Sequence, residues 1–186
     1  MELLIAGILL WSVTHLFPSV ARGTRDKLAG ALGENLYKGL YSFDILLAVV
    51  LIVWGWKAAT ATAIYNPPLF GSPLILGLML IAFILFVASG ASSNIKRFVR
   101  HPQMAGVIAW AIAHLLTNGD SRSIVLFGGL GIWAILEILL INRRDGEWQK
   151  PGPVAITADG ITLVIGLLAF AAVFYFHGFL FGAALI

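Results

Sequence analysis

The chain of 186 residues contains no cysteine, which excludes a disulfide framework, a thiolate nucleophile, an iron–sulfur cluster and a cysteine zinc site. Charge is scarce as well, since Asp, Glu, Lys and Arg together make up only 11% of the residues. Four histidines and nine carboxylates are all that remain as candidate metal ligands. With 60% hydrophobic residues and a mean hydropathy of +0.94, there is too little polar surface for a water-soluble domain. The composition is that of an integral membrane protein. A pI near 9.5 does not point to nucleic acid as a partner, because the basic residues sit in short loops between apolar segments and act as topology signals.

A spanning helix needs about 20 mostly apolar residues, and six segments qualify: about 2–21, 41–63, 69–92, 102–118, 122–142 and 158–184. The expected fold class is therefore all-α, a polytopic transmembrane helix bundle forming a single domain over residues 1–186. Arg22, Arg25, Lys27 and Lys38 lie in the first connection, Lys96, Arg97 and Arg100 in the third, and Arg143, Arg144 and Lys150 in the fifth. The even-numbered connections hold only Lys57 and Arg122. The positive-inside rule then puts the odd connections in the cytoplasm and both termini on the periplasmic side, for a chain of the bacterial inner membrane. Ser19-Val20-Ala21 looks like a signal-peptide cleavage site. The stretch before it, however, carries Glu2 and no Lys or Arg, and the positive charge follows it, as in an N-out anchor.

Leu28, Leu32, Leu36, Tyr37 and Leu40 recur at helical spacing in the first connection, and predict a short amphipathic helix on the cytoplasmic surface. Ala105, Ala109 and Ala113 line one side of the fourth segment, and Gly128 and Gly131 thin the fifth, so close backbone packing is expected there. Asp120 or Ser121 is expected to cap the fifth helix, and Asp159 is placed to cap the sixth. Glu137 stands near the inner end of the fifth helix, within sequence reach of Arg143 and Arg144 as partners, or of a ligand histidine as proton acceptor.

The informative residues are the histidines, because an ionisable side chain at bilayer depth is tolerated mainly where it faces protein, water or a metal. His15 lies in the first segment, three residues before Pro18, which cannot donate to the carbonyl of Thr14. Arg22 follows His15 by seven residues on the same face, where it serves as a topology residue or holds the carboxylates of a cofactor. In the fourth segment Trp110, Val107 and Gln103 lie near the His114 face. His101 is rotated from it by roughly 140° and displaced by about 20 Å, so the two cannot bind one metal together. A haem iron held by two imidazoles needs them from two helices facing across a gap. Ala111 and Ala113 beside His114 would leave room for such a ring. By depth, His15 lies about 5 Å to the cytoplasmic side of its helix midpoint and His114 about 6 Å to the other side. His15 with His114 and His15 with His101 thus both stay open. His177 carries no surrounding motif and is expected at the outer interface.

Several of these residues also carry a family resemblance. They are His15-Leu16-Phe17-Pro18-Ser19 with Arg22, Gly33-Glu34-Asn35-Leu36-Tyr37-Lys38, Tyr41-Ser42, Arg100-His101-Pro102-Gln103-Met104-Ala105-Gly106, Trp110 to Leu116, and Asn118-Gly119-Asp120. Together they resemble the NnrU family of polytopic membrane proteins, to which the plant zeta-carotene isomerases are related. The resemblance implies a b-type haem with His15 and His114 as axial ligands; His101, nearer to His15 in depth, stays the second choice, and Arg22, Gln103 and Trp110 by their helical faces, with Ala111 by its place in the motif, are the residues expected around the cofactor. It implies one of two roles. One is redox-dependent isomerisation of a polyene or related membrane lipid. The other is non-enzymatic support of nitrite and nitric oxide reduction in denitrification, with nitrogen-oxide reductase components as partners. In the plant enzymes a cysteine stands three residues before the second histidine, where this chain has Ala111, so the ligand switch proposed for that cysteine is not expected here. Arg100-His101-Pro102 with Gly106 also resembles the opening of isoprenylcysteine-type membrane methyltransferases, although the C-terminal cofactor motifs of that class are lacking.

Overall fold

The structure is a computed structural model that describes residues 1–69 and 72–182. The described residues are predominantly helical and hold seven α-helices: α1 (Glu2–Val20), α2 (Arg22–Leu32), α3 (Glu34–Ala58), α4 (Pro73–Gly90), α5 (Pro102–Thr117), α6 (Ser121–Asp145) and α7 (Ile156–Phe181). Five of them, all but α2 and α5, are long and apolar enough to cross a membrane, and α5 is a shorter apolar helix. The all-α membrane architecture expected from the sequence is what the chain adopts. Large side chains such as Leu46, Trp54, Leu168 and Phe179 are exposed on these helices, which water would penalise and hydrocarbon accepts. Parts of the expected third and sixth segments, residues 70–71 and 183–184, lie outside the described residues.

The helix boundaries differ from expectation in the first connection. Gly33 takes φ +80°, a left-handed value that suits glycine, and breaks the predicted amphipathic helix in two. Residues up to Leu32 form α2, whereas Leu36, Tyr37 and Leu40 belong to α3, which runs from Glu34 and stops at Ala58 rather than Ala63. Helical spacing was legible there, but the single positive-φ residue decided how it was divided. α1 continues through Pro18 and ends at Val20, with the Ala21 N–H returning to the Phe17 carbonyl. α6 contains one widened π-type turn, Ile124–Gly128.

The residues form two compact units, each assembled from two stretches of chain. In the first, residues 1–66 and 119–146, α1 packs against both α3 and α6. Its tightest contacts are made through glycine: a Cβ at Gly7 would stand 2.7 Å from the Ile52 backbone nitrogen, and one at Gly55 would run into the Leu4 backbone. On α6 the small residue facing α1 is Gly129, whose added Cβ would meet Ile8 at 2.9 Å, whereas Gly128, expected in that role, has open space beside it. One residue is about 100° of helix rotation, enough to change the face. At one end of this unit the loop after α3 pairs with the loop before α6: Ile64 N–H donates to the Gly119 carbonyl at 2.8 Å and Ser121 N–H to the Thr62 carbonyl at 2.9 Å.

In the second unit, residues 67–118 and 147–186, α4 packs against α5 and α7. A Cβ at Gly106 would lie 2.8 Å from the Phe86 ring, and one at Gly166 would lie 3.0 Å from the Ile84 Cα. Asp159 does not cap its own helix. Its carboxylate instead accepts from Ser93 Oγ at 2.8 Å, Asn94 N–H at 2.8 Å and Asn94 Nδ2 at 2.7 Å, tying the 3-10 turn Asn94–Arg97 to the start of α7. Asp159 is the fourth residue of α7, too far inside for the cap position, and its reach is lateral.

Small residues hold membrane helices together by letting backbones approach, so their enlargement is the direct test of this packing. Gly55→Ala should destabilise the protein by about 1–3 kcal/mol, the usual range for overpacking. Gly77→Ala, with open space at its Cβ, should leave stability unchanged or slightly raised. Thermal unfolding in detergent, followed by tryptophan fluorescence, distinguishes the two variants.

Candidate cofactor-binding site

His15 and His114 fall in different units, each with its own surroundings. In the first unit His15 projects from the last third of α1. Its Nδ1 lies 2.8 Å from the Trp11 carbonyl, four residues back. A carbonyl can only accept, so Nδ1 carries the proton, and in the neutral ring the lone pair is on Nε2. Aromatic rings surround the imidazole: Trp11 at 4.2 Å, Trp133 of α6 at 5.2 Å and Tyr41 of α3 at 6.1 Å between centroids. Three helices thus meet at one histidine.

His114 repeats the arrangement in the second unit. Its Nδ1 donates to the Trp110 carbonyl at 2.9 Å, and the Trp110 ring stands 5.0 Å away. The local device is the same in both cases, a Trp four residues before a His on one helical face. The i−4 carbonyl fixes the tautomer, and the indole packs against the ring. Hydrogen bonds of this kind, from the non-ligating nitrogen to a backbone carbonyl, orient metal-bound imidazoles and raise their basicity. Sequence reasoning reached Trp110 but not Trp11, although Trp11-Ser12-Val13-Thr14-His15 and Trp110-Ala111-Ile112-Ala113-His114 share the spacing. That repeated Trp-x-x-x-His was the available signal. Tyr41 was marked only as part of the Tyr41-Ser42 motif and Trp133 not at all; both come from distant parts of the chain, and no local pattern ties them to His15.

The first unit also fits a polar prosthetic group in another respect. Trp11 Nε1, Trp133 Nε1 and Glu137 Oε2 are buried without a hydrogen-bond partner among the described residues. Buried polar atoms are nearly always satisfied, and an orphaned carboxylate oxygen is especially costly. Glu137 is one turn beyond Trp133 on α6, and among the described residues it makes no ion pair with Arg143 or Arg144. Arg144 is paired directly with Asp145, at 2.7 Å from Nε to Oδ1, and meets Glu137 only through longer-range charge.

The other expected site residues take different places. Arg22 opens α2, is exposed, and lines a cavity with Pro18, Arg25, Asp26, Arg144 and Asp145. Gln103 is exposed in the first turn of α5. Ala111 and Ala113 are buried, at 3% and 1% exposure, and so serve close packing of α5. His101 stands at the N-cap position of α5, at the other end of the helix from His114. His177 of α7, expected at the interface, is an electrostatic neighbour of His114. Groups of three or more His, Asp and Glu suited to a metal are absent among the described residues.

The chain is thus a polytopic all-α membrane protein carrying two oriented histidines, each backed by tryptophan. A family model described as NnrU protein matches residues 3–185. The chain belongs to the NnrU family. No curated protein and no solved structure matches it.

Asp120 meets the capping expectation: its Oδ1 accepts from Arg122 N–H at 3.0 Å and Ser123 N–H at 3.2 Å, and its Oδ2 accepts from Ser123 Oγ at 2.6 Å. Burial opposes its ionisation, but the Ser123 and Arg122 hydrogen bonds and the Arg122 charge outweigh that and hold the carboxyl below its usual range. A depressed folded-state pKa gives stability that is present above the unfolded value, about 3.9, and lost as pH falls through the folded one. Asp120→Ala should lose about 1 kcal/mol, a typical cap contribution, at pH 7. Asp120→Asn should keep most of the cap but show a weaker loss of stability in acid. Melting curves of the three proteins from pH 7 to pH 3 report both effects.

Proposed function

We propose that this chain is a haem-b-binding membrane protein and that His15 and His114 are the residues that would hold the haem iron. The observation that carries this reading is the shared tautomer. Each imidazole gives its Nδ1 proton to the tryptophan carbonyl four residues earlier, which presents Nε2 as the ligating atom of a neutral ring. The family resemblance independently names the same two residues. Bound haem would supply a one-electron redox centre in an apolar setting. The chain's own contribution is to fix two imidazole orientations, to surround His15 with Trp11, Trp133 and Tyr41, and to keep water from the ring. Redox-dependent isomerisation of a polyene or related lipid is the activity this arrangement serves, since such a substrate reaches the site through hydrocarbon. The loop charges support a bacterial inner-membrane protein with both termini periplasmic.

The test is a reduced-minus-oxidised absorption spectrum of the purified protein, after expression with ample haem. The wild type should show b-type bands, and His15→Ala and His114→Ala should each remove or shift them, whereas His101→Ala should not. A colourless wild type overturns the haem. Loss of the spectrum in His101→Ala alone overturns the ligand pair. Activity is tested by expression in a host that accumulates zeta-carotene: altered carotenoid isomers support isomerisation. Unchanged isomers, together with lost nitrite or nitric oxide reduction in a knockout, support the accessory role in denitrification instead.

A further inference from the structure

One cavity of the first unit touches neither histidine. α1 ends at Val20, the backbone turns at Ala21, and α2 begins at Arg22; nearby, α6 ends at Asp145. Between them lies a cavity of about 360 Å³ lined by Pro18, Arg22, Arg25, Asp26, Arg144 and Asp145. It sits at the ends of two membrane-spanning helices, the level at which lipid headgroups lie.

Its charges are unequally committed. Arg144 is held in a fork on Asp145, at 2.7 Å and 3.1 Å, and its Nη1 donates to Ser19 Oγ at 3.1 Å. Arg25 donates to Asp26 at 2.9 Å, stands 3.9 Å from Glu34 and lies over the Tyr37 ring. Glu34 is shared with Lys38 at 3.9 Å. Arg22 has no hydrogen bond or ion pair with a side chain among the described residues. Arg25 is shared between Asp26 and Glu34, and Arg144 is bound to Asp145 with Glu137 within electrostatic reach, so Arg22 is the guanidinium on the wall left to meet an anion. Two of the three are braced by neighbours, which lowers the ordering cost of binding, and Arg22 supplies an uncommitted fork. Planar guanidinium forks match the paired oxygens of phosphate. The volume is about a dozen times the ~30 Å³ share of one water, enough for a phosphate with its ester substituents.

We propose that this cavity binds the phosphate of an anionic phospholipid headgroup, clamped by Arg22, Arg25 and Arg144. The acyl chains would run along the exposed apolar faces of the adjoining spans, where Leu9 and Val13 of α1 and Leu136 and Leu139 of α6 lie. The site is independent of haem binding. In this assignment the anion opposite Arg22 is a lipid phosphate and not a propionate.

The experiment follows the melting temperature of the detergent-purified protein, as isolated, while dioctanoyl phosphatidylglycerol, dioctanoyl phosphatidylcholine or inorganic phosphate is added. Phosphatidylglycerol should raise the melting temperature with saturation. Phosphatidylcholine, whose choline meets the same guanidiniums, should bind at least tenfold more weakly. Arg22→Gln and Arg144→Gln should each weaken the phosphatidylglycerol response at least tenfold, and Lys57→Gln, at the other end of α3, should not. Because the Arg22 side chain is exposed and makes no hydrogen bond or ion pair with a side chain among the described residues, its variant reports on binding; native mass spectrometry of retained lipid provides the second readout. Full saturation by inorganic phosphate, with no gain from the lipid, supports the anion site but overturns the lipid as its source. Wild-type lipid affinity in both arginine variants overturns the proposal. So does an Arg22→Gln protein that loses a haem spectrum while keeping its lipid response, which would assign Arg22 to a propionate.

Discussion

Close backbone contact of α1 with α3 is the constraint on which the first unit depends. In hydrocarbon no hydrophobic force draws one helix to another, so association rests on packing, and packing at short range requires residues without side chains. Gly7 and Gly55 provide it from both sides of the contact, each against the partner's backbone. Gly129 lets α6 seat on Ile8 of the same helix. Once α1 is held in this way, everything further along it is positioned. His15 comes between Trp133 and Tyr41, Ser19 reaches Arg144, and the turn at Ala21 delivers Arg22 to the cavity. α4 has the corresponding role in the second unit, meeting Gly106 through Phe86 and Gly166 through Ile84.

The two histidines show how a membrane helix can orient an imidazole without help from a second polar side chain. A carboxylate that oriented the imidazole would itself need neutralising at bilayer depth. The carbonyl one turn earlier is already present and takes a second hydrogen bond on its other lone pair. Trp at that position covers the polar pair with an apolar face. The device is local, so it can be repeated on any helix, as α1 and α5 illustrate with Trp11 and Trp110.

What could be read from the sequence follows the range of the interaction. The apolar segments and the cap at Asp120 depend on residues adjacent in the chain, and they were legible, although of the six expected spans the fourth, α5, is a shorter apolar helix and five are long enough to cross a membrane. His15 and His114 stood out because histidine is rare in apolar segments. The partition of the first connection was not, because Leu28 to Leu40 keep one helical rhythm while a single backbone angle at Gly33 interrupts it. Nor was the role of Asp159, which acts on a turn 65 residues away in sequence. The neighbours Tyr41 and Trp133 fall in the same class: their spacing from His15 encodes nothing, and only the packing of α3 and α6 on α1 brings them there. Gly129 in place of Gly128 shows the limit of face assignment where two glycines adjoin.

Charge compensation along α6 separates its two ends in a way that bears on function. At the N-terminal end Asp120 and Arg122 stand 3.6 Å apart, and the guanidinium lies over Trp56 at 4.7 Å, so the cation and anion there cancel locally. At the C-terminal end Arg144 is bound to Asp145, with Glu137 in electrostatic reach, and shares its cavity with Arg22, Arg25 and Asp26, while Arg143 adds a further cation to the last turn. A neutralised end needs nothing from its surroundings. An end with surplus positive charge is stable only where counter-anions are concentrated, and the headgroup region of an anionic bilayer is such a place. The surplus is concentrated in the walls of a cavity and not spread over a loop, with Ser19 and Asp145 fixing one of its members. A charge that served topology alone would need no such bracing, since the positive-inside bias counts residues and is indifferent to their geometry.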